Sequence, residues 1–242
     1  VTEAVVLAFV LALARVSGLA FTAPLIGDAS TSRRVRLIVV VAVAALLTPL
    51  RLGAPPLVDL PPVLALELGA GLATGLCARF VMARVETAGH LIGLSLGLGF
   101  AAQYDPSSGA AGSSTSVLAS TIGGLAFLAA GGLEALVVAA AGHGDVLPTT
   151  VAARGQDLLA LGAGTLRAGL VLAGPLVAAA LVTNVGLALM NRAAPAINIF
   201  SINMVGVLLV GLLVLVAIGP QFVTGVMATA RLAVSQLVLG GP

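Results

Sequence analysis

Glu86 and His90 stand four residues apart, so on a helix they would share one face, which suits metal ligation. No third ligand stands nearby, and a polar pair at a helix mouth would read the same way. Gly93-Leu94-Ser95-Leu96-Gly97 has the outline of a nucleophile elbow, a motif that needs a strand feeding a helix so that the serine is lifted above a sheet. Here it lies within an apolar helical run, which offers no such context. An intramembrane hydrolase would have to bring a nucleophile and a base together, and Ser95 with His143 is the pair to name. We assign no catalytic, metal-ligating or cofactor-binding residue and expect no enzyme.

Charge is scarce and therefore informative. Arg15, Glu67, Arg79 and Glu134 lie inside or at the margins of apolar runs, where an unpaired charge is costly and usually faces a bundle interior or an aqueous path. Each is a functional candidate or half of a structural ion pair. The net charge of +2 rests on arginine alone, since lysine is absent. A phosphate-cradling loop with its lysine is thus missing, which excludes a nucleotide-driven motor within this chain. The arginines are scattered rather than stacked on one stripe, which excludes nucleic acid as a partner. Cys77, the single cysteine, allows neither an intrachain disulfide nor a thiol cluster.

The elements that must position these residues are apolar helices. Of the 242 residues, 60% are hydrophobic and 8% charged, against about 25% charged in a soluble domain. Leu166 to Met190 and Phe200 to Gly219 flank the polar break Asn191 to Phe200, and each is long enough for a hydrocarbon core that takes roughly 20 helical residues. Further runs cover Ala4 to Ile26, Leu37 to Leu50, Val63 to Met82, Ala88 to Ala102 and Val117 to Gly142, about seven helices in all. Alternation of the membrane-barrel kind is lacking and an open edge is untenable in lipid, so the expected fold is all-α, one membrane domain over residues 1–242. The chain opens on an apolar run with Arg15 and without the basic n-region of a signal peptide, so this run is expected to be mature structure. Arg33, Arg34 and Arg36 would face the cytoplasm by the positive-inside rule, with the N-terminus outside.

Two of the runs, Leu37 to Leu50 and Ala88 to Ala102, are short for a crossing, and with no Trp and one Tyr an aromatic belt is missing. Much of the surface is then expected to touch protein rather than lipid. Gly89, Gly93 and Gly97 fall at every fourth position, and Gly71 with Gly75 repeats the spacing, which lets helix backbones approach closely. From 220 to 242 the chain reads as an amphipathic C-terminal helix, with Val223, Val226, Met227, Ala230, Val234 and Leu237 on one face. The longest polar stretch, 103–116, holds the Pro, Gly and Ser of a loop.

In order along the chain, Arg15-Val16-Ser17-Gly18-Leu19, Ala23-Pro24-Leu25-Ile26-Gly27, the arginines 33–36 and Leu47-Thr48-Pro49 are followed by Gly99-Phe100-Ala101, Asp105-Pro106 and Gly109. Next come Leu125-Ala126-Phe127-Leu128, Gly131-Gly132 and Leu147-Pro148, and last Arg192-Ala193-Ala194-Pro195 with Ile197-Asn198-Ile199-Phe200. These segments resemble the FliR family of flagellar export proteins, called SctT in virulence secretion systems. Departures are Ser30-Thr31-Ser32, where the family usually has a proline, and Gly131-Gly132-Leu133-Glu134, where it has an asparagine-glycine-histidine pattern. The resemblance implies a subunit of the type III export gate of the flagellar basal body in the bacterial inner membrane. Its partners would be FliP and FliQ homologues and FlhB, its cargo unfolded flagellar proteins. It implies helices packed in a helical hetero-oligomer rather than all spanning lipid, which weakens the topology read from the arginines. It implies a pore plug at Asp105, Pro106, Gly109 and Gly112, and an assembly motif at Arg192, Pro195, Asn198 and Phe200. A rival from another class is a secondary transporter driven by an ion gradient, whose halves would repeat the break at Asn191 to Phe200. The first half of the chain shows no convincing repeat of it.

Overall fold

The computed structural model describes residues 2–28, 31–51, 60–97, 114–142, 148–193 and 199–239. These residues form seven α-helices: α1 (Thr2–Thr22), α2 (Arg33–Leu47), α3 (Leu60–Ser95), α4 (Ser114–Ala129), α5 (Gly132–Ala141), α6 (Pro148–Ala193) and α7 (Ile199–Leu239). A 3-10 turn at Thr48–Arg51 follows α2. Among the described residues no strand occurs, and a helix is the element that satisfies its own backbone in lipid. The protein is thus all-α and membrane-type, as its hydropathy predicts.

The helix boundaries depart from the apolar runs: α1 ends at Thr22, short of Ile26, and α6 begins at Pro148, well ahead of Leu166. The runs Val63 to Met82 and Ala88 to Ala102 fuse into α3, because Arg84 and Glu86 lower hydropathy without breaking a helix in which both residues are good formers. Val117 to Gly142 divides into α4 and α5 at Gly131, whose φ of 82° is a left-handed conformation that suits glycine. The C-terminal segment is no separate helix, since α7 passes through Pro220 without a break and carries the last apolar run and the tail as one element. The arginines Arg33, Arg34 and Arg36 lie in the first turn of α2, behind the N-cap Ser32, whose hydroxyl accepts from the Val35 N–H.

Among the described residues, four helices are long and apolar enough to cross a membrane, at Glu3–Thr22, Leu60–Ser95, Leu158–Met190 and Val205–Leu237. The interrupted pair α4 and α5 would be a fifth if taken as one span. The shares of these four apolar windows buried inside the chain are 44%, 28%, 17% and 11% in that order. Apolar surface is therefore covered least on α6 and α7.

The chain gathers into two compact units, one of Val1–Met82, Phe127–Ala163 and Ala230–Pro242, the other of Ala83–Ala126 and Gly164–Thr229. In the first, α1 buries Ala8, Leu11, Ala12, Val16, Leu19 and Ala20, a stripe at steps of three and four. That helix packs on α2, the 3-10 turn and α5. Half of that stripe is alanine, which lets helix backbones come close without a clash. In the second unit, Ala88 and Ile92 of α3 and Leu96 just past its end form a core with Ala173, Leu176 and Ala180 of α6 and Val207 of α7.

Candidate functional site

The apolar stripe of α1 carries one charge inward. Arg15 is buried, and its Nε lies 2.6 Å from Oε2 of the equally buried Glu67 on α3, with side chains 9% and 10% exposed. The two atoms meet as an ion pair rather than as an aligned hydrogen bond. A second guanidinium nitrogen, Nη1, donates to the Gly142 carbonyl at 2.5 Å. Gly142 is the C-cap of α5, so a cation sits at the end of that helix, where the dipole favours it and an orphan carbonyl needs a donor. One arginine thus ties together α1, α3 and α5. Sequence reading flags Arg15 and Glu67 separately as charges in apolar runs, and the structure brings them together.

A second polar knot fixes the segment after α1. Asp28 accepts from Arg79 Nη1 at 2.9 Å and from the Leu25 N–H at 3.2 Å. Arg36 donates to the carbonyls of Ile26 and Asp28, and the Thr31 hydroxyl donates to the Leu25 carbonyl at 2.7 Å. Leu25 is held at φ 69°, a left-handed conformation unusual for a side chain of this size. Arg79 and Asp28 are 42% and 38% exposed, so solvent screens this pair far more than the first. Sequence reading singles out Arg79 but not Asp28; the acidic residue beside Pro24 and Gly27 is the signal available for it. Glu134, the fourth charge flagged, is exposed in the first turn of α5, where the helix dipole favours an acid.

Glycines set the closest helix contacts. A Cβ on Gly18 would lie 2.5 Å from the Leu68 carbonyl, and one on Gly71 would collide with the Arg15 carbonyl. One on Gly75 would strike the Thr22 hydroxyl and lie 2.8 Å from the Leu19 carbonyl. The Thr22 hydroxyl itself donates across to the Leu72 carbonyl at 3.1 Å. Backbone therefore meets backbone along α1 and α3, the small-residue packing that replaces hydrophobic drive between helices in lipid.

The Gly89, Gly93 and Gly97 series divides. Gly89 is buried, and a Cβ there would lie 2.5 Å from the Ala119 Cβ and 2.9 Å from the Ser116 Cα on α4. Gly93 is buried as well. Gly97 stands past the end of α3 with φ 73° and nothing within 4 Å of an added Cβ, so it terminates the helix instead of packing it.

Glu86 and His90 do share α3, yet His90 is exposed and no group of three potential ligands forms among the described residues. Ser95 donates to the Ile92 carbonyl at 2.9 Å on the last turn of a helix, without the strand an elbow requires. His143 lies outside the described residues, as do Asp105, Pro106, Gly109 and Gly112 of the expected plug, and Pro195 and Asn198 of the expected assembly motif. Arg192 is exposed near the end of α6, and Phe200 lies in the first turn of α7.

Long apolar helices, small residues at their contacts and a buried ion pair that joins α1 to α3 define an all-α membrane protein. Residues 6–231 match the family described as bacterial export proteins, family 1, and the chain belongs to that family. It is 33% identical to the flagellar biosynthetic protein FliR of Escherichia coli (strain K12) over 223 residues, 86% of this chain and 82% of that one. A FliR of Pectobacterium carotovorum subsp. carotovorum is 29% identical over 83% of this chain and 80% of its own length. For a FliR of Caulobacter vibrioides (strain ATCC 19089 / CIP 103742 / CB 15) the identity is 32% over 78% and 79%.

Proposed function

We propose that this chain is a structural, non-enzymatic subunit of the flagellar export gate, joining FliP and FliQ homologues in the channel through which unfolded flagellar proteins leave the cytoplasm. The observation that carries the reading is the match to the export family over residues 6–231, and relatives that bear a flagellar biosynthetic name agree with it. Physical features support it. The apolar windows of α6 and α7 are only 17% and 11% buried within the chain, which leaves most of that surface for lipid or for neighbouring subunits. Subunits of an assembly would cover it as lipid does, because hydropathy is blind to which apolar medium covers a helix. FlhB is a further partner in this reading, the bacterial inner membrane and flagellar basal body its location, and the stretch 103–116 its pore closure.

Mild-detergent purification of the tagged protein from native membranes, followed by mass spectrometry of what stays bound, tests the reading. Recovery with FliP and FliQ homologues is the expected result. Recovery alone, with ion-driven flux after reconstitution into liposomes, would replace the gate by a secondary transporter.

A further inference from the structure

The second unit holds a cavity of about 680 Å³ walled by α3, α6 and α7, within the roughly 300–1,000 Å³ usual for ligand pockets. Its polar lining includes Arg84 of α3, Arg167 of α6 and Gln221 of α7, while Leu172, Pro175, Ile218 and Phe222 supply apolar wall. Glycines shape it. A Cβ on Gly169 would lie 2.7 Å from Thr87 and 3.1 Å from the Arg84 carbonyl, so α6 runs against α3 beside that arginine. A Cβ on Gly225 would lie 2.7 Å from Leu172, which brings α7 onto α6 at the same level.

Two cations line this open, largely apolar cavity, Arg84 half-buried and Arg167 exposed. Unlike Arg15 with Glu67 and Arg79 with Asp28, neither Arg84 nor Arg167 stands in an ion pair with a carboxylate among the described residues. The Nε of Arg84 is buried without a hydrogen-bond partner. A buried guanidinium donor left unmade is costly, and an anion with several acceptor oxygens is what two guanidinium forks receive best. The remaining wall is hydrocarbon, which a free phosphate would leave uncovered and an acyl chain would fill. A zwitterionic headgroup would bring its own cation toward the arginines.

We propose that this cavity binds an anionic phospholipid, with Arg84 and Arg167 on the phosphate and the start of an acyl chain along Leu172, Ile218 and Phe222. The proposal rests on the membrane character of the chain and is independent of the export role. The test is native mass spectrometry of the full chain in detergent with equimolar phosphatidylglycerol and phosphatidylcholine. Wild type should retain phosphatidylglycerol roughly tenfold better, the ratio expected of one charge-assisted contact. R84Q/R167Q should lose that preference, R84K/R167K should keep part of it, and R33Q/R34Q, outside the cavity, should match wild type. If the glutamine variant does not fold, Ala168→Glu carries the test, because a carboxylate on this cavity wall would pair with the arginines and displace the lipid. Equal retention of both lipids by wild type, or a preference that survives in R84Q/R167Q, would overturn the proposal. Competition by inorganic phosphate at equal concentration would assign the arginines to a small anion instead. Loss of bound lipid whenever partner subunits are present would assign them to a protein carboxylate.

Discussion

Arg15 and Glu67 illustrate why position decides what a charge is worth. Both are buried, and each would be an uncompensated charge without the other. Removing one partner of such a pair costs about 3–5 kcal/mol, whereas an exposed pair contributes about 0–1 kcal/mol. Glu67→Ala should therefore lower stability in detergent by about 3 kcal/mol or more, and Arg79→Ala by about 1 kcal/mol or less. Denaturant unfolding of the two variants reads the difference, and equal losses would refute the distinction. R15A/E67A should lose less than the sum of the single variants, because the first substitution already removes the shared contact.

At the scale of elements, α1 and α3 touch through backbone, and the glycines that permit it are distinguishable from a glycine that does not take part. Gly71 and Gly69 lie two residues apart on α3, yet a Cβ on Gly71 would collide with the Arg15 carbonyl while one on Gly69 meets nothing within 4 Å. Gly71→Ala should destabilise the protein by about 1–3 kcal/mol, the range for overpacking. Gly69→Ala should stabilise it by up to about 1 kcal/mol, since alanine is the better helix former. Opposite signs in thermal unfolding are expected, and a gain of the same size in both would mean that helix propensity, not contact, governs this region. The same argument separates Gly89, pressed against α4, from Gly97, which ends its helix.

For the whole molecule, the exposed apolar faces of α6 and α7 and the membership in an export family meet in one expectation, a subunit completed by its neighbours. A closed gate must hold against ions and yield to a passing chain, so its resting state is favoured by only a few kcal/mol. In that reading small residues in the stretch 103–116 let the closure move. Gly109→Leu with Gly112→Leu should then leave assembly with FliP and FliQ homologues intact but alter flagellar export or membrane ion leak. Unchanged secretion together with unchanged permeability would remove the plug role from these glycines.

The amino-acid sequence by itself determined the all-α class and its membrane character, because a long apolar run has no other stable form in lipid. Its ordered motifs also point to the export family. Helix boundaries were only partly legible: hydropathy falls at Arg84 and Glu86 although the helix continues, and stays high across Gly131 although it breaks. Partners of the paired charges were not legible at all. Arg15 and Glu67 are 52 positions apart, and Asp28 gives no periodic signal toward Arg79. Only the tertiary structure decided these pairings, and with them the cavity around Arg84 and Arg167. Periodicity reports the face a residue takes on its own helix, whereas a contact depends on how closely two backbones approach, and that is set by small residues on both.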